Sequence, residues 1–306
     1  MTGPVVECVP NFSEGSDLRR IEAIVAAMRV DGVHLLDLAM DKDHNRSVVT
    51  IAGEPAAVVE AAVRGAGKAA ELIDLTRQQG AYPRIGATDV IPFVPVSGIK
   101  LEQCVLLARQ AGLELWRRYG IPVYFYEAAA SRPDRANLED VRRGQFEELR
   151  EAARKDAARR PDVGGPGLHP TAGACAVGAR KFLVSYNIYL DSTDVAIARA
   201  IAREIRTAAL GLKGVKALGM TAHGRAQVSV NIADFQVTPV SEVYKAVSRL
   251  ASRHKTAPVE GEVIGLIPDA ACERESEWMR QLIEFDPAAK ILENRLGSPL
   301  AWPDRG

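Results

Sequence analysis

The chain has 306 residues, and its 39 Lys and Arg balance 39 Asp and Glu. With no net field to draw nucleic acid or an anionic bilayer, neither is an expected partner. Hydrophobic residues make up 47% and charged ones 25%, an ordinary globular mixture. A chain this long buries roughly 75% of its unfolded surface, in one large domain or two smaller ones. Cys8, Cys104, Cys175 and Cys272 stand far apart with no Cys-x-x-Cys pair. That spacing argues against a disulfide framework or a zinc site and fits a reducing compartment. The N-terminus shows no basic region followed by a long apolar run, and no segment is long enough to span a bilayer. A soluble, cytoplasmic protein is expected.

In chain order, residues 5–9 read as a short strand, stopped by Pro10 and a loop from Asn11 to Gly15. Residues 17–28 carry Leu18, Ile21, Ile24, Val25 and Met28 at helical spacing, with Ser16 as N-cap. Residues 33–38 and 47–51 are β-rich runs around the polar loop Asp41-Lys-Asp-His-Asn-Arg46, a hairpin. Residues 55–73 form an Ala-rich helix opened by Pro55. Residues 89–96 form a strand containing Pro92 and Pro95. Since proline lacks the donor that a central strand needs, this one is expected at an edge or to end early. A helix over 101–119 and a strand over 123–126 follow, then a charged, surface-lying helix over 137–160. Between Arg160 and Gly173 three prolines and several glycines mark a linker or binding loop.

Beyond it, residues 181–190 read as a strand, 193–207 as a helix, and 215–221 and 226–235 as strands around a His223-Gly224 turn. A helix over 239–254 and a strand over 259–267 complete the pattern. Both halves are β-α-β-β-α-β, which predicts an α/β (α+β) protein of two ferredoxin-like subdomains; the family resemblance described below implies their bounds, 1–178 and 179–306. A split βαβ unit puts its helices on one sheet face. Val228, Val230 and Ile232 point one way and Gln227, Ser229 and Asn231 the other; Phe182, Val184, Tyr186 and Ile188 oppose Ser185, Asn187 and Tyr189. The polar faces either line a wet cleft against the first half or meet solvent.

Several sites are excluded by their spacing. Asp41-x-Asp43-x-Asn45 opens like a calcium loop but has Arg46 at position six and Ala52 at position twelve. Gly173-x-x-x-x-Gly178 is followed by Ala179-Arg180 where a phosphate loop needs Lys-Ser/Thr. No Gly-x-Ser-x-Gly elbow or His-Glu-x-x-His helix occurs, and the 5 histidines are dispersed; no metal is expected. Arg46, Arg84 and Arg180 remain as carboxylate-binding candidates, each alternatively a solvated surface charge. Arg84, Thr88 and Asp89 cluster at the head of a strand. His44 and His169, both in loops, are proton carriers near neutral pH or hydrogen-bonded loop residues.

Val6-Glu-Cys-Val-Pro-Asn-Phe-Ser-Glu-Gly15, Asp43-His-Asn-Arg-Ser47, Pro83-Arg-Ile-Gly-Ala-Thr-Asp-Val90, Val177-Gly-Ala-Arg-Lys-Phe-Leu183 and Gln227-Val-Ser-x-Asn231 together resemble the glutamate formimidoyltransferase (formiminotransferase) family. The resemblance runs to about Pro268. It implies N- and C-subdomains of similar fold whose sheets face each other across a folate tunnel with helices outside, a homodimer, and a role in histidine degradation. It further implies tetrahydrofolate as co-substrate, a glutamate derivative as the other small molecule, and transfer of a formimino group from N-formimidoyl-L-glutamate to N5. By the same resemblance the loop Gly164, Gly165, Pro166, Gly167, Leu168, His169, Pro170, Thr171, Ala172 and Gly173 contacts folate; from their place on the polar strand faces, Asn187, Gln227 and Asn231 are expected to face the tunnel as hydrogen-bonding groups. The cyclodeaminase module of bifunctional family members is not expected within these residues.

The sequence departs from that family at one place. The histidine that precedes Pro-Arg-x-Gly-Ala-x-Asp-Val in the family is Tyr82 here, and a second histidine a few residues earlier corresponds to Gln78. Tyrosine, with a pKa of about 10 against about 6.5 for histidine, exchanges protons poorly near neutrality. It still donates a hydrogen bond or stacks on a pterin. The alternatives are transfer through another carrier such as His44 or His169, transfer of formyl instead, or folate binding with impaired turnover.

Overall fold

A computed structural model describes residues 3–42, 44–80, 83–206 and 212–304. It divides into two compact units, residues 1–180 with 299–306, and residues 181–298.

In the first unit β1 (Val5–Cys8) and β2 (Asn11–Phe12) form one interrupted strand, followed by α1 (Leu18–Ala27), β3 (Val33–Asp41), β4 (Arg46–Gly53), α2 (Pro55–Leu72) and β5 (Thr88–Ser97). β4 and β5 flank β1 and β2, and β3 pairs with β4, all antiparallel. This is the strand order of a ferredoxin-like unit. Local chemistry accounts for the helices. Asp17, rather than Ser16, caps α1 by accepting from the Arg19 and Arg20 N–H groups, and Ile21, Ile24 and Val25 bury one face. Pro55 opens α2, and Gly67 lets α2 lie against the Tyr119 ring, which a Cβ there would meet at 2.2 Å.

After β5 the chain adds α3 (Leu101–Tyr119), β6 (Val123–Glu127), α4 (Leu138–Val141), α5 (Gln145–Lys155) and β7 (Cys175–Ala179). β7 inserts between β5 and β6, parallel to both. The expected edge position of β5 is therefore overturned: it lies inside the sheet. Its prolines fall where ladder donors are dispensable. Pro92 faces the interruption between β1 and β2, where its carbonyl accepts from the Val9 N–H at 3.3 Å. Pro95 lies beyond the last pair with β7, Phe93 with Ala179. β7 had no signature because Cys-Ala-Val-Gly-Ala is small and uniformly buried, without alternation. The single charged helix expected over 137–160 is two helices, broken at Gly144 (φ 81°) and Gln145 (φ 53°). It is not wholly superficial: Arg142, Phe146, Leu149 and Ala153 are buried.

The second unit is β8 (Val184–Leu190), α6 (Val195–Ile205), β9 (Val215–Ala222), β10 (Arg225–Ile232), α7 (Val240–Arg253) and β11 (Pro258–Ile264). Its antiparallel sheet has the order β11-β8-β10-β9, the same arrangement as in the first unit. Residues 181–183 precede the strand rather than belong to it. The predicted end of the helix at Thr207 lies outside the described residues. Val184, Tyr186, Ile188, Val228, Val230 and Ile232 enter the core with α6 and α7, so the predicted face alternation holds. Three short helices, α8 (Glu277–Arg280), α9 (Pro287–Lys290) and α10 (Leu292–Gly297), close the unit.

Candidate functional site

In the first unit a small polar cleft is lined by Phe12, Ser13, His44, Asn45, Arg46, Gln78, Arg84 and Asp89. Three stretches of chain supply it: the end of β2, the tip of the β3–β4 hairpin, and the segment from α2 to β5. Asn45 joins them. Its backbone has φ 48°, a left-handed conformation that asparagine tolerates better than most residues. From there its Oδ1 accepts from the Gly15 N–H at 2.9 Å, its Nδ2 donates to the Gln79 carbonyl at 2.6 Å, and its own carbonyl accepts from Gln78 Nε2 at 3.2 Å. Beside it, His44 Nδ1 lies 2.5 Å from Asp41 Oδ2. That contact orients the ring.

Arg84 is only 7% exposed, and its donors are spent inside the unit. Nε donates to Gln78 Oε1 at 2.7 Å, Nη1 to Glu147 Oε2 at 2.8 Å, and Nη2 to Glu147 Oε1 at 2.7 Å. Hydrogen bonding to Arg84 holds the Glu147 carboxyl below the usual range. Asp89, 2% exposed, accepts from the Ile85 N–H at 2.8 Å and pairs with buried Arg142. Thr88 is buried beside it, and among the described residues its Oγ1 has no hydrogen-bond partner.

The glycine-proline loop does not act as one piece. Leu168 to Gly173 runs against the turn after Arg84: the Ala87 N–H donates to the Ala172 carbonyl at 2.9 Å, Gly86 bridges Gly173, and the Leu75 N–H donates to the Thr171 carbonyl at 2.9 Å. Glycine is obligatory at Gly86, where a Cβ would sit 2.0 Å from the Ala174 carbonyl oxygen. His169 Nδ1 accepts from the Ala172 N–H at 2.9 Å and lies 3.4 Å from the Thr171 nitrogen. Burial lowers the His169 pKa, and Nδ1 as acceptor puts the proton of the neutral tautomer on Nε2. Gly164, Gly165, Pro166 and Gly167 lie elsewhere: Gly164 packs against Trp116 of α3 and Gly167 against Arg154 of α5. Pro170 is exposed. Arg180 follows β7, its N–H donating to the Phe93 carbonyl at 3.1 Å. Tyr82 lies outside the described residues, as does Asp43.

In the second unit Asn187, Gln227 and Asn231 all sit on the sheet face opposite α6 and α7. Asn187 is half-buried, Gln227 buried and Asn231 exposed. Among the described residues no group of three His, Cys, Asp or Glu side chains is placed to hold a metal ion, and no helix is long and apolar enough to cross a membrane.

Sequence reasoning missed Asn45, Glu147 and Arg142. An asparagine at a hairpin tip was a usable signal for the first. The other two carry none, since ion pairs 53 and 63 residues apart in sequence are created only by folding.

Comparison with known proteins bears on both units. Residues 5–180 match the family model described as "Formiminotransferase domain, N-terminal subdomain", and residues 185–284 match "Formiminotransferase domain". The chain is 42% identical over 295 residues to a glutamate formimidoyltransferase of Streptococcus pyogenes serotype M1, covering 95% of this chain and 98% of that protein. It is 42% identical over 297 residues to one from Thermoplasma acidophilum, covering 95% and 97%. Against the formimidoyltransferase-cyclodeaminase of Mus musculus the identity is 39% over 310 residues, covering 96% of this chain and 56% of that protein.

Proposed function

Because the chain belongs to the formiminotransferase family, we propose that it is a folate-dependent transferase moving a formimino group between N-formimidoyl-L-glutamate and tetrahydrofolate. The supporting observation is the cleft that gathers His44, Arg46, Gln78, Arg84 and Asp89. N5 attacks the amidine carbon, a tetrahedral intermediate forms, and the bond to the glutamate nitrogen breaks. The proton lost by N5 equals the proton gained by that nitrogen, so one carrier serves both transfers.

His44, oriented by Asp41, suits that carrier role. His169 Nε2–H suits a fixed donor, and Tyr82 a hydrogen-bond donor or stacking surface. Arg46 and Arg180 are assigned to the substrate carboxylates. Arg84, Thr88 and Asp89 shape the cleft wall. In this reading residues 1–178 and 179–306 are the two subdomains; Leu168 to Gly173 in the first and Asn187, Gln227 and Asn231 in the second are folate contacts. The assembly is a cytoplasmic homodimer acting in histidine degradation.

The test is direct: purified protein is given both substrates and formation of 5-formiminotetrahydrofolate is followed by absorbance. Transfer above background is expected, and its absence at saturating substrates, with 5-formyltetrahydrofolate still bound, overturns the reading. Tyr82 and Gln78, standing where the family has histidines, favour the alternative of a folate-binding member with formyl or impaired transfer. Under it, Tyr82→His raises the formimino-transfer rate at least tenfold; an unchanged rate places proton transfer elsewhere.

A further inference from the structure

The face of the second sheet opposite α6 and α7 can be laid out from its strand register. One row across it is Glu262 of β11, Asn187 of β8, Ser229 of β10 and Leu218 of β9; the next is Glu260, Tyr189, Gln227 and Met220. These side chains lie opposite Val263, Tyr186, Val228 and Ala217, which belong to the core. Glu262 is the centre of the polar cluster. Its Oε2 accepts from Tyr189 Oη at 3.0 Å and from Asn187 Nδ2 at 3.4 Å. The Tyr189 ring is itself braced by His223, at a centroid distance of 5.9 Å. Glu260 is matched by Arg225 Nη1 at 2.9 Å. For Glu262 no cation is paired, and its Oε1 has no hydrogen bond among the described residues.

A carboxylate with one oxygen anchored by neutral donors and the other open is pre-oriented for two adjacent N–H donors. It repels carboxylates. We propose that Glu262 is a specificity-determining residue that accepts from the N3–H and 2-amino groups of a reduced pterin, with Tyr189 and Asn187 holding it in place. This rests on the folate reading above and adds an orientation to it: the 2-amino-4-oxopyrimidine edge lies over β8 and β11, and the anionic glutamate end of the folate points away from β11. Gln227, next to Tyr189 on the same face, supplies an amide beside the ring.

The experiment is calorimetric titration of wild-type protein and Glu262→Gln with 5-formyltetrahydrofolate and with its analogue lacking the 2-amino group. The expected result is at least a tenfold rise in Kd for the natural ligand in the variant, against a change of under threefold for the analogue. At saturating folate the KM for N-formimidoyl-L-glutamate stays as in wild type. Tyr189→Phe, which frees the carboxylate without removing it, gives an intermediate loss on the natural ligand alone. Thermal midpoints for all three proteins show that each is folded. An unchanged Kd in Glu262→Gln, or an equal loss on both ligands, overturns the assignment while leaving folate binding intact. A wild-type protein that binds no reduced folate overturns the proposed function and this inference with it.

Discussion

The guanidinium of Arg84 meets the carboxylate of Glu147 through two parallel hydrogen bonds of 2.8 and 2.7 Å. A residue at the head of β5 is thereby tied to α5, and the Phe146 N–H donates to the Arg84 carbonyl at 2.9 Å in the same junction. Arg142 on the same segment pairs back to Asp89. Two ion pairs of opposite orientation strap residues 138–155 over the turn that shapes the cleft.

Glu147→Gln tests the first strap. Arg84 is buried but the Glu147 side chain is 58% exposed, so solvent screens the pair and the expected loss is about 1–2 kcal/mol. Because Arg84 holds the folded pKa of Glu147 down, its contribution is complete above the unfolded value of about 4.3. It is lost as pH falls through the folded value. Thermal midpoints taken from pH 7 to pH 3 are expected to converge for wild type and variant at the acid end.

Asp89→Asn tests the second and costs more. The aspartate is 2% exposed and Arg142 is 7% exposed, so neutralising Asp89 breaks a buried ion pair, at about 3–5 kcal/mol. Urea unfolding is expected to show a lower midpoint for Asp89→Asn. Part of the loss returns in the double variant Asp89→Asn with Arg142→Met, where both members of the buried pair are neutral.

Asn45 separates two effects. Asn45→Gly keeps the left-handed backbone and loses the bonds to Gly15 and Gln79, about 1–2 kcal/mol together. Asn45→Ala loses the same bonds and adds the strain of φ 48°, about 1 kcal/mol more. Denaturant unfolding of the two side by side reads that difference. Equal stabilities would mean that the hairpin tip relaxes.

His169 sets a second pH dependence. Its folded pKa is lowered by burial, below the unfolded value of about 6.5. Stability is therefore full above that pH and declines as pH falls through the folded value, because the unfolded chain takes up the proton first. His169→Gln is expected to flatten the slope of stability between pH 7 and pH 5, measured by urea midpoints.

Periodicity carried most of the architecture. Apolar residues at helical spacing in α1 and alternation in β8 and β10 were legible because burial of one face leaves a period in the sequence. The run that became β7 was not, since a strand buried on both faces has no period to show. Pro92 and Pro95 pointed to an edge or an early end, and β5 is an inner strand that runs to Ser97; their missing donors fall opposite an interruption in the neighbouring strand and beyond the end of β7, and neither position is visible locally.

By itself the sequence determined the two repeated β-α-β-β-α-β units, which faces of β8 and β10 are polar, and the family motifs around Gly15, Arg46, Arg84 and Asn231. These are properties of residues near one another along the chain. Only the tertiary structure decided that Arg84 and Asp89 are held by Glu147 and Arg142, that Asn45 fastens the hairpin to the segment before β5, that the glycine-proline loop divides in two, and that Glu262 has one oxygen anchored and the other open. Each depends on partners brought together across tens of residues, where electrostatics and hydrogen bonding act through space and leave no trace in local order.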